Sequence, residues 1–466
     1  MIDSLLARAV AKASVTRSVI VERDALAQSG AVVAALQPSR ACCIVADSNT
    51  MRAAGHRVAA VLRGAGIPLE NAVVLEEAPR VKPHADTARQ VSARLAASGA
   101  LPIAVGAGVI NDITKYAAEL AQTPYVCLPT AASMDGYAAS GAAMLDQGFK
   151  RTLSCAPPIA VIADLDVIAN APRRMAAWGY GDLAGKVVAG ADWMLGDAAG
   201  EDPIAPEPFA LVQDHVRAWL SDPEGVATHD IEALRGLMHG LIVSGFAMQA
   251  HGNSRPASGS DHQLSHLWEM ERLTVDGEPA AHGACVGIGA VAMLALYEWL
   301  LERDVATAVA RMDGGRRVDS QRIEDEVVAS FSEPAIVSSA RVEAMAKVPT
   351  PERRAARLTA FAQAWPSLGA RLRTQLLPAA TLERWLNACG GVWHPAQLGI
   401  SMTKLAADYR RARLIRRRYT VLDVLEDLGW LDDGIDALFS SGGFWAARAR
   451  SSAEADGPIR NHRFNR

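Results

Sequence analysis

A change of rhythm near residue 170 constrains this chain more than any other feature. Before it, short apolar runs alternate with longer helical patterns. The runs 42–46, 72–75, 102–105, 125–128 and 159–163 are rich in Val, Ile or Cys and bounded by turn residues, which predicts strands. The stretches 50–64, 86–97 and 111–121 read as helices. Strands alternating with helices predict a parallel α/β sheet, because parallel strands need long crossovers. After about residue 170 the strand signals stop. Helical patterns cover 181–195, 208–220, 231–250, 261–273, 282–301, 323–332, 351–364 and 402–413, punctuated by Pro and Gly. The expected organisation is an α/β domain over 1–170 and an all-α domain over 171–450. The stretch 451–466 is polar, basic and aperiodic, and reads as disordered.

Composition narrows the function classes. The chain has 466 residues, half of them apolar, enough for two cores. Its net charge of −4 offers no basic excess for a nucleic-acid or anionic-membrane partner. The first residues carry no charged region followed by an apolar core, and no apolar run reads as long enough to span a bilayer, so a cytoplasmic protein is expected. Cys42, Cys43, Cys127, Cys155, Cys285 and Cys389 form no C-x-x-C pair. That excludes a zinc ribbon or a thioredoxin-like motif and leaves buried reduced thiols.

The chemistry concentrates in residues 255–266, Arg-Pro-Ala-Ser-Gly-Ser-Asp-His-Gln-Leu-Ser-His. His262 and His266 are four apart, which places both imidazoles on one helical face. His282 opens a further helical run, and Asp182 follows Gly181 upstream. Two imidazoles and a carboxylate from three separate elements suit a divalent metal with an open position. Taken singly, each histidine is an ordinary helix residue and Asp182 could cap a helix; only the combination points to a metal.

Gly106-Ala107-Gly108 follows a predicted strand and opens a helix carrying Asn111 and Asp112. Backbone N–H groups in such a turn can approach a diphosphate. The usual dinucleotide fingerprint fails, lacking its third glycine and downstream acid; Asp47 instead ends an earlier strand. Thr130, Ser133 and Asp135 leave the end of the next strand. Their side chains could bind a ligand or merely cap a helix, and spacing alone leaves both readings open.

Taken in order, Gly106 to Lys115, Pro129 to Ser140, Gly181-Asp182, Ser258 to His266 and His282-Gly283 resemble the sn-glycerol-1-phosphate dehydrogenase family, in its bacterial branch. That family sits in the superfamily of iron-containing alcohol dehydrogenases, glycerol dehydrogenases and 3-dehydroquinate synthases. The resemblance covers roughly residues 40–290, and 416–423 resembles the family's last characteristic helix. It implies a nucleotide-binding α/β domain, a helical metal- and substrate-binding domain, and an active site between them. The implied metal ligands are Asp182, His262 and His282, for one Zn, Ni or Fe ion. Gly106, Ala107, Gly108, Asn111 and Asp112 would hold the diphosphate of NAD or NADP. Asp47 would lie near the adenosine ribose, Thr130 and Ser133 near the nicotinamide half, and Asp135 at the border with substrate.

The implied activity is NAD(P)H-linked reduction of dihydroxyacetone phosphate to sn-glycerol 1-phosphate, by a homodimer. His266, near neutrality if unperturbed, is the expected proton relay, with Asp135 beside it. Arg255 is the first choice for the substrate phosphate; Lys150, Arg151 and Lys186 follow. Other readings stay open: a glycerol or alcohol dehydrogenase, a dehydroquinate synthase-like cyclase, and a non-catalytic binder. The chain departs from the family in its extra length after residue 300 and at the tail.

Overall fold

In the computed structural model, residues 2–78, 80–146, 149–312 and 319–448 are described. The expected disordered stretch 451–466 lies outside them. Six strands form one parallel sheet: β1 (Ser18–Glu22), β2 (Cys42–Asp47), β3 (Val73–Leu75), β4 (Leu101–Gly106), β5 (Val126–Pro129) and β8 (Ala160–Asp164). Their order is β1-β8-β5-β4-β2-β3. The inner strands β4, β5 and β8 are buried along their whole length, the mark of a sheet covered on both faces.

Two elements escape the sequence pattern. β1 is an edge strand, only part-buried, with Ser18 and Glu22 at its ends. β6 (Ala142–Asp146) and β7 (Phe149–Leu153) form a separate antiparallel hairpin.

From Arg173 onward the chain is largely helical, with one small two-stranded pairing, Thr274–Val275 with Glu278–Pro279. The longest apolar helices have local start and stop signals. Asp230 accepts from the Glu232 and Ala233 amides to open Ile231–His251, and Gly252 closes it at a φ of 80°. The sequence suggested no apolar run of membrane length. Ile231–His251 and His282–Leu301 do reach that length and hydropathy, and both are mostly buried inside the protein. They are central core helices, apolar on all sides because they are surrounded.

The largest core cluster is continuous across the two halves. It joins Ala104, Cys127 and Val161 from the sheet to Val188, Leu241 and Leu296 from the helices. Leu5, Leu6 and Ala9 of the first helix, Ile2–Lys12, belong to it too. All six cysteines are buried.

Candidate active site

β4 and β5 are neighbours, with Gly106 opposite Pro129, so the glycine turn and the following loop leave the same edge of the sheet side by side. In doubly wound sheets that carboxyl edge is where ligands bind. The helix Gly108–Leu120 opens here, and its N-cap, Ala107, gives no side-chain hydrogen bond. Its first amides therefore remain available to an anion. Asp47 ends β2, the strand beside β4, and accepts from the Thr50 amide at 2.7 Å while capping a short helix. Asn111 is buried and accepts from the Tyr125 hydroxyl at 3.2 Å. Asp112 lies 3.9 Å from the Lys115 ammonium. Thr130 is buried just beyond β5, and the Ser133 hydroxyl meets that of Tyr137 at 3.1 Å.

The other side is made by three helices: Arg173–Ala198, Ser260–Met270 and His282–Leu301. Asp182 lies well inside the first, so it is no cap. The first and third cross closely because glycines stand at the crossing. A Cβ at Gly283 would run into the Trp178 carbonyl, and one at Gly181 into the Gly283 carbonyl. Only glycine allows that approach, and each of these glycines neighbours a candidate ligand. His262 Nε2 lies 3.5 Å from Asp182 Oδ1. One potential ligand atom each from Asp182, His262 and His282 fall within 4.8 Å of one another.

A second ring of carboxylates orients the imidazoles. Asp261 Oδ2 sits 2.5 Å from His262 Nδ1, and Glu269 Oε1 sits 2.8 Å from His282 Nδ1. An ionised carboxylate only accepts, so each Nδ1 carries a proton, and in the neutral imidazole Nε2 is the atom that would face a cation. His266, Glu269 and His282 also lie close enough to be considered as ligands. There, however, the Glu269 oxygens are already bonded to the Nδ1 atoms of His266 (3.0 Å) and His282, which fits a brace better than a second metal site.

The sequence spacing did not reveal these carboxylate partners, although both lie in or just after the His262/His266 motif. Glu269, one turn after His266, was the readable hint.

Lys186, a sequence candidate for substrate phosphate, is fully buried and committed elsewhere. Its ammonium lies 2.6 Å from Asp182 Oδ1 and 2.8 Å from Asp135 Oδ2. Burial alone would raise the Asp182 carboxyl. Lys186 first, then the His262 hydrogen bond and His282, outweigh it and hold Asp182 well below the usual carboxylate range. Burial likewise pulls Lys186 down, and Asp135 and Asp182 lift it above its ordinary value. Desolvation lowers His262, but Asp261 and the Asp182 hydrogen bond raise it on balance.

His266 corrects its sequence reading. Burial, then the positive charge of Arg416, depress it to about 3, so near neutral pH it is an uncharged imidazole. Arg255 is corrected too. It is 1% exposed, with Nη2 donating to the Asp192 carbonyl (2.7 Å) and Nε 2.9 Å from Asp202. That pairing places it in the helical core and removes it as first choice for a substrate anion. Arg151 is exposed on β7, and the Lys150 side chain lies outside the described residues.

One loop ties the two sides together. A Cβ at Gly108 would lie 3.2 Å from the Met134 side chain, and the next residue, Asp135, donates its amide to Asp182 Oδ2 at 2.9 Å. The glycine turn and the ligand cluster are thus bridged by consecutive residues. A donor set of one carboxylate and two imidazoles fits Zn, Ni or Fe, and an uncapped helix start at the sheet edge fits a dinucleotide diphosphate.

Known proteins resemble this chain in sequence and in fold. Residues 20–172 match the family model described as iron-containing alcohol dehydrogenase. The chain is 37% identical over 256 residues to a glycerol-1-phosphate dehydrogenase [NAD(P)+] of Halalkalibacterium halodurans, covering 55% of this chain and 64% of that one. It therefore spans just under two thirds of that relative's length. A Bacillus subtilis protein of the same name is 30% identical over 386 residues, covering 82% of this chain and 84% of its own. Among solved structures, glycerol dehydrogenase from Schizosaccharomyces pombe superposes with a TM-score of 0.58 at 15% identity, covering 94% of this chain and 92% of that one. A probable glycerol dehydrogenase from Sinorhizobium meliloti gives 0.57 at 15% identity, covering 91% and 98%. At that identity the likeness establishes the fold.

Proposed function

The chain belongs to the glycerol-1-phosphate dehydrogenase family, and from that premise we propose that it reduces dihydroxyacetone phosphate to sn-glycerol 1-phosphate with NADH or NADPH and one divalent metal. The observation that carries the reading is the bridge from Gly108 through Met134 and Asp135 to Asp182. It sets a cofactor cradle and a three-ligand cluster next to each other, as hydride transfer to a metal-polarised ketone requires. We assign residues 1–170 to cofactor binding and 171–450 to metal and substrate.

When bound, the nicotinamide supplies the hydride and the cation polarises the ketone and stabilises the alkoxide. The chain's own residues do the rest. Asp182 presents an oxygen, and His262 and His282 present Nε2, with Asp261 and Glu269 fixing their tautomers. Lys186 keeps Asp182 ionised and holds Asp135 beside it. The Gly106–Gly108 turn, Asn111 and Asp112 seat the diphosphate, Asp47 faces the ribose, and Thr130 and Ser133 position the nicotinamide half. His266 donates a hydrogen bond from Nδ1 to Glu269, which leaves Nε2 to accept from a substrate hydroxyl. In reduction it would relay a solvent proton, taken up at Nε2 and passed to the alkoxide oxygen, so that it ends neutral as it began, with Asp135 as its companion. Replacing His266 with Ala should cut turnover and leave bound metal unchanged; lost metal would make it a ligand.

The deciding assay strips the protein with chelator, reloads it with Zn, Ni or Fe, and follows net NADH and NADPH consumption with dihydroxyacetone phosphate. Metal-dependent consumption supports the reading. No net consumption would favour the cyclase chemistry of the superfamily, and glycerol oxidation without preference for phosphate would favour a plain alcohol dehydrogenase. By likeness to the family the reading includes a cytoplasmic homodimer, which sedimentation would test.

A further inference from the structure

Residues 416–420 run extended between the short turn Arg413–Ile415 and the helix Val421–Asp427. The expected helix over 416–423 therefore begins only at Val421. In an extended segment alternate residues share a side, so Arg416 and Arg418 face one way and Arg417 the other. The contacts follow that alternation. Arg417 faces outward and meets Glu343 Oε1 at 2.8 Å. Arg418 faces inward, donating to Ser254 Oγ at 3.0 Å and to the Ser258 carbonyl, both just before the histidine helix. Gln263, next to His262, donates to the Arg418 carbonyl at 3.3 Å and accepts from Thr420 Oγ1 at 3.3 Å. The segment is strapped to the helix that carries His262 and His266.

Arg416 shares the inner side. Its charge acts on His266, and among carboxylates on Glu343 first and then Glu269. Among the described residues its guanidinium makes no hydrogen bond and no ion pair, whereas its neighbours are all engaged: Arg413 with Glu326 (3.0 Å), Arg417 with Glu343, Arg418 with the serines. Two of the sequence candidates, Lys186 and Arg255, are tied to carboxylates in the core, and Arg151 is exposed on β7. Burial lowers Arg416 below its ordinary value, and the charges of Glu343 and then Glu269 offset that only in part.

We infer that Arg416 grips the phosphate of the substrate, presented on a strap that Arg418 and Thr420 fix against the ligand-bearing helix. A planar guanidinium binds a phosphate through two parallel hydrogen bonds, and an unengaged one held beside the histidines is preorganised for that task. The inference rests on the reading of the substrate as a phosphorylated triose.

The test compares the metal-loaded wild type with Arg416→Met and Arg416→Lys on dihydroxyacetone phosphate and on unphosphorylated dihydroxyacetone. Titration calorimetry with sn-glycerol 1-phosphate and with inorganic phosphate runs in parallel. Arg416→Met should cut the preference for the phosphorylated substrate on the order of 100-fold, mostly through KM. Arg416→Lys should retain part of it. Both variants should melt and bind metal like the wild type. Calorimetry should show phosphate and product binding to the wild type and weakened binding to Arg416→Met. An unchanged preference with unchanged binding would overturn the assignment. If the wild type fails to turn over dihydroxyacetone phosphate, the function reading falls separately. Loss of phosphate binding in Arg416→Met would still uphold the seat, and equal binding by wild type and variant would sink it.

Discussion

On the sheet side of the site, the candidate cofactor contacts are mostly backbone amides, glycines and short polar side chains at the ends of β2, β4 and β5, with Asp47, Asn111 and Asp112 among them. On the helical side they are buried charges: Asp182 and Lys186 are fully buried, and His262 nearly so. A site made from backbone is set by the path of the chain and tolerates change in the side chains around it. A site made from buried ions depends on each member, because removing one leaves its partner charged and desolvated. The two halves should therefore answer mutation very differently.

Asp182→Asn is the severest way to press that contrast. It removes a proposed ligand and leaves Lys186 facing an amide. Bound metal should be lost and reductase activity should fall about 10³-fold or more, the rate equivalent of several kcal/mol of charge stabilisation. Elemental analysis beside the assay would check both. Lys186→Met comes next. Without the ammonium, Asp135 and Asp182 are left unpaired, which should cost about 3–5 kcal/mol in denaturant unfolding of metal-free protein. The loss should be smaller after metal loading, since the cation then neutralises Asp182.

A glycine pair compares the halves directly. Gly283→Ala drives a methyl into the Trp178 carbonyl, which cannot move aside, and should cost about 1–3 kcal/mol and weaken metal binding. Gly108→Ala meets only the flexible Met134 side chain, so melting should stay close to wild type. Equal effects would erase the distinction. The smallest effect concerns Glu271, where burial would raise the carboxyl but Arg411 and Lys404 lower it on balance. Its folded value lies below the unfolded one, so its stabilisation is present above the ordinary glutamate range and lost as pH falls through the lowered value. Glu271→Gln should cost about 0.5–1 kcal/mol at pH 7 and progressively less as pH falls below the ordinary glutamate range, read from paired melts.

The same contrast governs what the sequence revealed. β2, β4, β5 and β8 are buried runs of Val, Ile, Cys, Ala and Leu, and composition alone announces them. β1 is half-polar at the sheet edge, and β6 and β7 pair outside the main sheet, so neither carries the core pattern. Asp182, His262 and His282 stood out because their residue types and motif order are unusual. Asp261, Glu269 and Arg416 did not, and Lys186 suggested a substrate phosphate and not a buried pair, since a charged residue reads the same on a surface as in a buried pair. Some partners share the helix, as His262 for Asp261 and His266 for Glu269, but others come from separate elements, as Asp135 for Lys186 and His282 for Glu269. Only packing decides which face each helix turns inward.

Anomalous diffraction from crystals of the metal-loaded protein, collected at the absorption edge of the bound metal, tests the central claim most directly. One strong peak within bonding distance of an Asp182 oxygen and of Nε2 of His262 and His282 is the predicted result. A peak seated instead among His266, Glu269 and His282, or a loaded metal with no peak near Asp182, would contradict it.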